Sequence, residues 1–163
     1  MTPDVQTIAK DRMRYTKDKF SSMLAILAIV FDCLYFVSIY QSDVGTFYYN
    51  WLIGISIVYN LIFLLAAFLA SESVKNRRTG YSGILVILGV VQIARIFILP
   101  AQAHAATALV NGVEVAVMSD NQYLYCVACL LISAVCCIVA AVVSAKNNKT
   151  LADYMKTLEN KAA

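Results

Sequence analysis

The apolar residues of this chain fall into four long blocks instead of recurring with a helical or two-residue period. The blocks cover residues 22–40, 51–70, 81–99 and 123–145. Each approaches the roughly 20 residues that a helix needs to cross about 30 Å of hydrocarbon. Backbone groups in lipid must satisfy one another, so each block is expected to be a continuous helix. Neither proline falls inside a block: Pro3 sits near the N-terminus, and Pro100 follows the third block, where it should stop a helix. The first block is long for a signal-peptide core and has no A-x-A site after it, so it reads as a retained helix. The expected fold is a single-domain, all-α bundle of four transmembrane helices.

The polar positions orient that bundle. Lys10, Arg12, Arg14, Lys17 and Lys19 precede the first block, in a leader of residues 1–21. Lys75, Arg77 and Arg78 separate the second from the third, and Lys146, Lys149, Lys156 and Lys161 lie in the tail, residues 146–163. The loops 41–50 and 101–122 contain no Lys or Arg. Positive charge is retained in the cytoplasm, which predicts both termini inside. Aromatic residues mark the boundaries: Tyr40, Phe47, Tyr48, Tyr49, Trp51, Tyr123 and Tyr125 outside, Phe20 and Tyr81 inside.

Composition agrees, with 61% hydrophobic and 14% charged residues, against about 25% charged in an ordinary soluble domain. The net charge of +3 is spread over segments that also carry acids. It suits anionic headgroups and argues against nucleic-acid binding. The expected location is the plasma membrane.

Outside the blocks, the leader Asp4–Phe20 and the tail Leu151–Lys161 have apolar positions at helical spacing and could lie on the inner surface as short helices. In the second outer loop, Ala106–Val110 and Val113–Val117 flank Asn111-Gly112. An Asn-Gly pair between β-prone runs predicts a small extracellular β-hairpin, because both turn residues need positive φ. An isolated hairpin is marginal in water and should rest on the helix ends or on a partner.

Four polar residues lie deep within the blocks: Asp32 in the first, Asn60 in the second, and Gln92 and Arg95 in the third. An isolated Asp or Arg at mid-helix costs about 2.5–3.5 kcal/mol on insertion scales, so such groups turn inward and find one another. Gln92 and Arg95 are three apart and share a face. Counting from the inner boundary puts Asp32 near the level of Gln92 and slightly below Arg95. The set reads as a structural ion pair, Asp32–Arg95, with Asn60 as interhelical glue. A proton or substrate site is the alternative.

Cys126-Val-Ala-Cys129 forms a C-x-x-C at the outer end of the fourth block. This motif resembles the vitamin K epoxide reductase family, whose four-helix core carries a redox C-x-x-C in its last helix. The resemblance implies a thiol oxidoreductase acting through Cys126 and Cys129. The family's relay also uses a pair of loop cysteines, and residues 41–50 and 101–122 contain no cysteine. A second pattern competes: Cys129, Ser133, Cys137, Ala141 and Ala145 repeat every four residues as a stripe of small side chains, suited to close helix packing in lipid. The packing face is the preferred reading. With a single histidine, His104, bis-histidine haem ligation within the chain is unavailable. His104 with Cys126 and Cys129 leaves a zinc site incomplete. No cofactor, metal or enzymatic activity is expected.

The function that fits these features is a non-enzymatic accessory subunit that binds an integral membrane partner, or a second copy of itself, within a transport complex. The alternative is a small oligomeric transporter or channel using Asp32 and Arg95. An acidic residue in the first of four helices resembles the small multidrug-resistance transporters, although those have a glutamate and short connections where this chain has Asp32 and a long outer loop.

Overall fold

The computed structural model describes residues 4–40, 51–110 and 113–162. A short helix α1 (Val5–Met13) precedes α2 (Lys19–Tyr40), α3 (Trp51–Lys75), α4 (Tyr81–Ile96) and α5 (Leu99–Ala105). Two strands follow, β1 (Thr107–Val110) and β2 (Val113–Ala116), and the chain ends in α6 (Asp120–Ala162). Among the described residues, four stretches are long and apolar enough to cross a membrane: Lys19–Tyr40, Gly54–Lys75, Tyr81–Ala105 and Asp120–Asn160. The protein is a polytopic membrane protein built as an all-α bundle.

Two element boundaries depart from the hydropathy blocks. The third helix does not run to Leu99. It ends at Ile96, and Pro100 sits in the first turn of α5 instead of closing the helix before it. Proline lacks the N–H that would bond to the carbonyl of Ile96, and its ring clashes there, so the break falls one turn upstream of the ring. The fourth helix does not stop at residue 145 either. The tail continues α6 without interruption for 43 residues in all, a length of about 64 Å against a hydrocarbon core of about 30 Å. Residues 146–162 contain no Gly or Pro, so nothing breaks the helix where hydropathy falls. The tail is a helical extension of the span, not a separate helix lying on the surface.

Inside the bundle, α6 packs along both α2 and α4, while α3 leans mainly on α2 and more sparingly on α4. Small residues line much of the contact between helices. Ala25, Ala28, Ala67, Ala70, Cys137, Ala140 and Ala141 are buried, whereas Leu61, Ile62, Leu65 and Phe68 on α3 and Ile87 and Val90 on α4 are exposed. Many large apolar side chains thus face outward, where lipid replaces water, while Phe63 and Leu85 are among those that fill the interior. Close approach is tightest at Gly89, where an added Cβ would lie 2.8 Å from Ile138 Cγ1 and 3.1 Å from the Ala134 carbonyl oxygen on α6.

The ends of the bundle are tied separately. At the end bearing Lys19 and Lys75, Asp18 caps α2 by accepting bonds from the Ser21 amide (3.2 Å) and Ser21 hydroxyl (2.9 Å), and it also accepts from Asn147 of α6 (3.1 Å). Ser71 of α3 donates to the Ser22 carbonyl of α2 at 3.1 Å. At the opposite end, β1 and β2 pair antiparallel with Val110 opposite Val113. The Val117 amide extends the pairing by donating to the Ala106 carbonyl. Val117 and Met118 then enter a buried cluster with Tyr35, Ile39, Cys126 and Leu130. The expected turn Asn111–Gly112 and the loop aromatics Phe47, Tyr48 and Tyr49 lie outside the described residues.

Candidate functional site

The intramembrane polar residues meet at one level of the bundle. Arg95 of α4 donates from Nη1 to Asp32 Oδ1 of α2 at 2.6 Å and to Gln92 Oε1 of its own helix at 2.8 Å. Its Nη2 donates to Asn60 Oδ1 of α3. Gln92 Nε2 in turn donates to Asp32 Oδ1 at 2.8 Å and to Ser133 Oγ of α6 at 3.1 Å. Ser133 passes the chain on, donating to the Ala28 carbonyl of α2 at 2.9 Å. All four spanning helices therefore share one hydrogen-bonded cluster.

Burial makes the cluster consequential. The side chains of Arg95 and Asp32 are 8% and 1% exposed, and Asn60, Gln92 and Ser133 are buried. The guanidinium also lies against two aromatic rings, with Cζ 4.9 Å from the Tyr35 centroid and 4.8 Å from the Tyr59 centroid. A desolvated cation over such faces gains about 2 kcal/mol or more. The charges of Arg95 and Asp32 cancel within hydrogen-bond distance, the arrangement that makes burial tolerable. Asp32 accepts both of its bonds on Oδ1, and Oδ2 has no partner among the described residues.

The sequence places Asp32, Asn60, Gln92 and Arg95 in one intramembrane set, with Asn60 as interhelical glue, and Ser133 in the packing stripe. Asn60 is an acceptor for the guanidinium, and Ser133 is a hydrogen-bonding member of the cluster as well as a small packing residue. Tyr35 and Tyr59 were not picked out at all. Tyr35 lies three residues after Asp32, a helical spacing that places them on one face.

A cleft of about 210 Å³ lies beside the cluster. Tyr35, Ile55, Tyr59, Val91, Arg95 and Ile98 are among its lining residues, and Asp32 is not. Ile55 and Ile98 are exposed, so the cleft opens sideways between α3 and the end of α4.

The cysteines lie elsewhere. Cys126 and Cys129 are buried and unlinked, and the Cys126 thiol points to Ser38 Oγ at 3.7 Å. Cys129, Ser133, Cys137 and Ala141 are buried together, but Ala145 is exposed and Ser144 takes its place inside. A strict four-residue repeat drifts about 40° per step around a 3.6-residue helix, so the stripe leaves the interface after three steps. His104 bonds to Asp120 at 2.9 Å and packs on Tyr123. No cluster of three potential metal ligands occurs among the described residues.

Compared with known protein families, characterised proteins and solved structures, the chain matches none of them. The functional reading therefore rests on the geometry of this one molecule.

Proposed function

We propose that the protein is a non-enzymatic, partner-binding subunit of a larger membrane assembly, in the class of accessory subunits of transport complexes. It sits in the plasma membrane with both termini and the α3–α4 connection in the cytoplasm, and the paired strands β1 and β2 outside. The observation that carries this reading is the polar cluster that ties the four spanning helices together. Arg95 is neutralised by Asp32, tied to Asn60 and flanked by two tyrosine rings, an arrangement that fixes neighbouring helices. Asp32 does not line the cleft that reaches Arg95, as a carboxylate that meets a transported solute would. The extension of α6 adds a rod of roughly 25 Å beyond residue 145, long enough to meet the soluble part of a partner.

Two measurements test the reading. Purification in a mild detergent should recover the protein with a larger integral membrane protein at fixed stoichiometry. Recovery of a homogeneous monomer or homo-oligomer that moves a solute in liposomes would replace the proposal with the transporter. Orientation is tested after the five native cysteines are changed to alanine. A membrane-impermeant maleimide on intact cells should label Leu109→Cys and spare Asn76→Cys. Labelling of Asn76→Cys from outside reverses the orientation.

A further inference from the structure

From the unused donors of Arg95 we infer that the cleft between α3 and α4 binds an uncharged, membrane-soluble molecule through a carbonyl oxygen. A guanidinium carries five N–H groups. Three are engaged, two on Nη1 and one on Nη2, which leaves Nε–H and the second Nη2 hydrogen without an acceptor among the described residues. Arg95 also lines the cleft, with a side chain only 8% exposed. A charged N–H that loses its solvent to an apolar occupant without gaining an acceptor is left unsatisfied at a cost, so an occupant that accepts from it is favoured over one that does not.

The chemistry of the occupant follows from its surroundings. The Asp32–Arg95 pair is neutral as a unit, so an anion bound there would bring an uncompensated charge into the membrane interior. A carbonyl accepts without adding charge. Ile55, Val91 and Ile98 supply apolar walls, and Tyr35 and Tyr59 flank the guanidinium. The volume of about 210 Å³ exceeds the roughly 150 Å³ of an engineered apolar cavity that takes up benzene. A compact carbonyl group with the first part of an alkyl chain therefore fits, and the exposed side chains of Ile55 and Ile98 leave a route for the rest of the chain into lipid. A lipid ester and a free ketone share this chemistry.

Nanodiscs made from ether-linked phosphatidylcholine, which has no carbonyl, separate the carbonyl from the alkyl chain. Added 2-undecanone should raise the Tm of the intact protein by about 2 °C or more, while undecane at the same mole fraction should not. The shift should disappear in Ala94→Phe, which fills the cleft from its wall. Repetition in ester-linked lipid distinguishes the sources: a diminished ketone effect identifies a lipid ester as the occupant, and an undiminished one identifies a free ketone. Equal stabilisation by ketone and alkane, no shift with either, or a ketone shift that survives in Ala94→Phe overturns the inference.

Discussion

Asp32→Ala should destabilise the bundle by about 3–5 kcal/mol, the range for breaking a buried ion pair by removing one partner. The substitution deletes the acceptor at 2.6 Å from Arg95 Nη1 and the one at 2.8 Å from Gln92 Nε2. The guanidinium then remains buried against Tyr35 and Tyr59 with no carboxylate to balance it. Relaxation towards the cleft offers Arg95 only part of a remedy, because the cleft walls are mainly apolar. The loss should appear as a lower thermal midpoint in detergent. It should also appear as reduced recovery of any partner, since α2 and α4 are the two helices that pack along α6. An Asp32→Ala protein as stable as the parent would mean that the ion pair does not hold the bundle.

Ser133→Leu should have the second-largest effect, and it separates the packing and redox readings of α6. Ser133 is fully buried, accepts from Gln92 and donates to the Ala28 carbonyl. Leucine removes both bonds and adds volume where α6 is held close to its neighbours. Overpacking costs typically 1–3 kcal/mol, and an unsatisfied buried polar group costs about 1–3 kcal/mol more. The variant should lose most of its thermal stability or its association with a partner. In contrast, Cys126→Ser with Cys129→Ser keeps small side chains at both positions while removing both thiols of the C-x-x-C, and it should behave like the parent in both assays. If the paired serine variant lost a cellular activity that Ser133→Leu retained, the protein would have to be reinterpreted as a thiol oxidoreductase.

The parts of this molecule that were legible in the sequence are those set by one-dimensional properties. Four apolar blocks of bilayer length announced four spanning helices, because lipid leaves the backbone no alternative. Asp32, Gln92 and Arg95 could be matched by counting turns from a common boundary, since helical rise converts residue number into depth. Depth alone did not fix rotation. Whether Asn60 turned towards Arg95 depended on how α3 faces α2 and α4, and the same holds for Tyr59, one residue earlier. Ser133 was read as a small residue because its spacing was conspicuous, whereas its hydroxyl role depends on Gln92 arriving from another helix.

The helix ends were hidden for a different reason. Hydropathy reports where lipid stops, and α6 continues well past that point because nothing after Ala145 breaks a helix. Pro100 announced a break but acted one turn upstream, at the carbonyl it cannot bond. The cap at Asp18 had a sequence signal, an acidic residue just before an apolar helix, yet its bond to Asn147 depends on the full packing of α6.

Asp32 and Arg95 hold the bundle as a coupled pair, and a double-mutant cycle measures the coupling directly. Asp32→Asn, Arg95→Gln and the two combined should be unfolded under identical detergent conditions. Each single change should destabilise strongly. The pair together should be more stable than the sum of the singles predicts by about 1–3 kcal/mol, the coupling found for residues in one network. Additivity to within about 0.5 kcal/mol would mean that the two residues are not partners, because it would leave each charge with a role independent of the other.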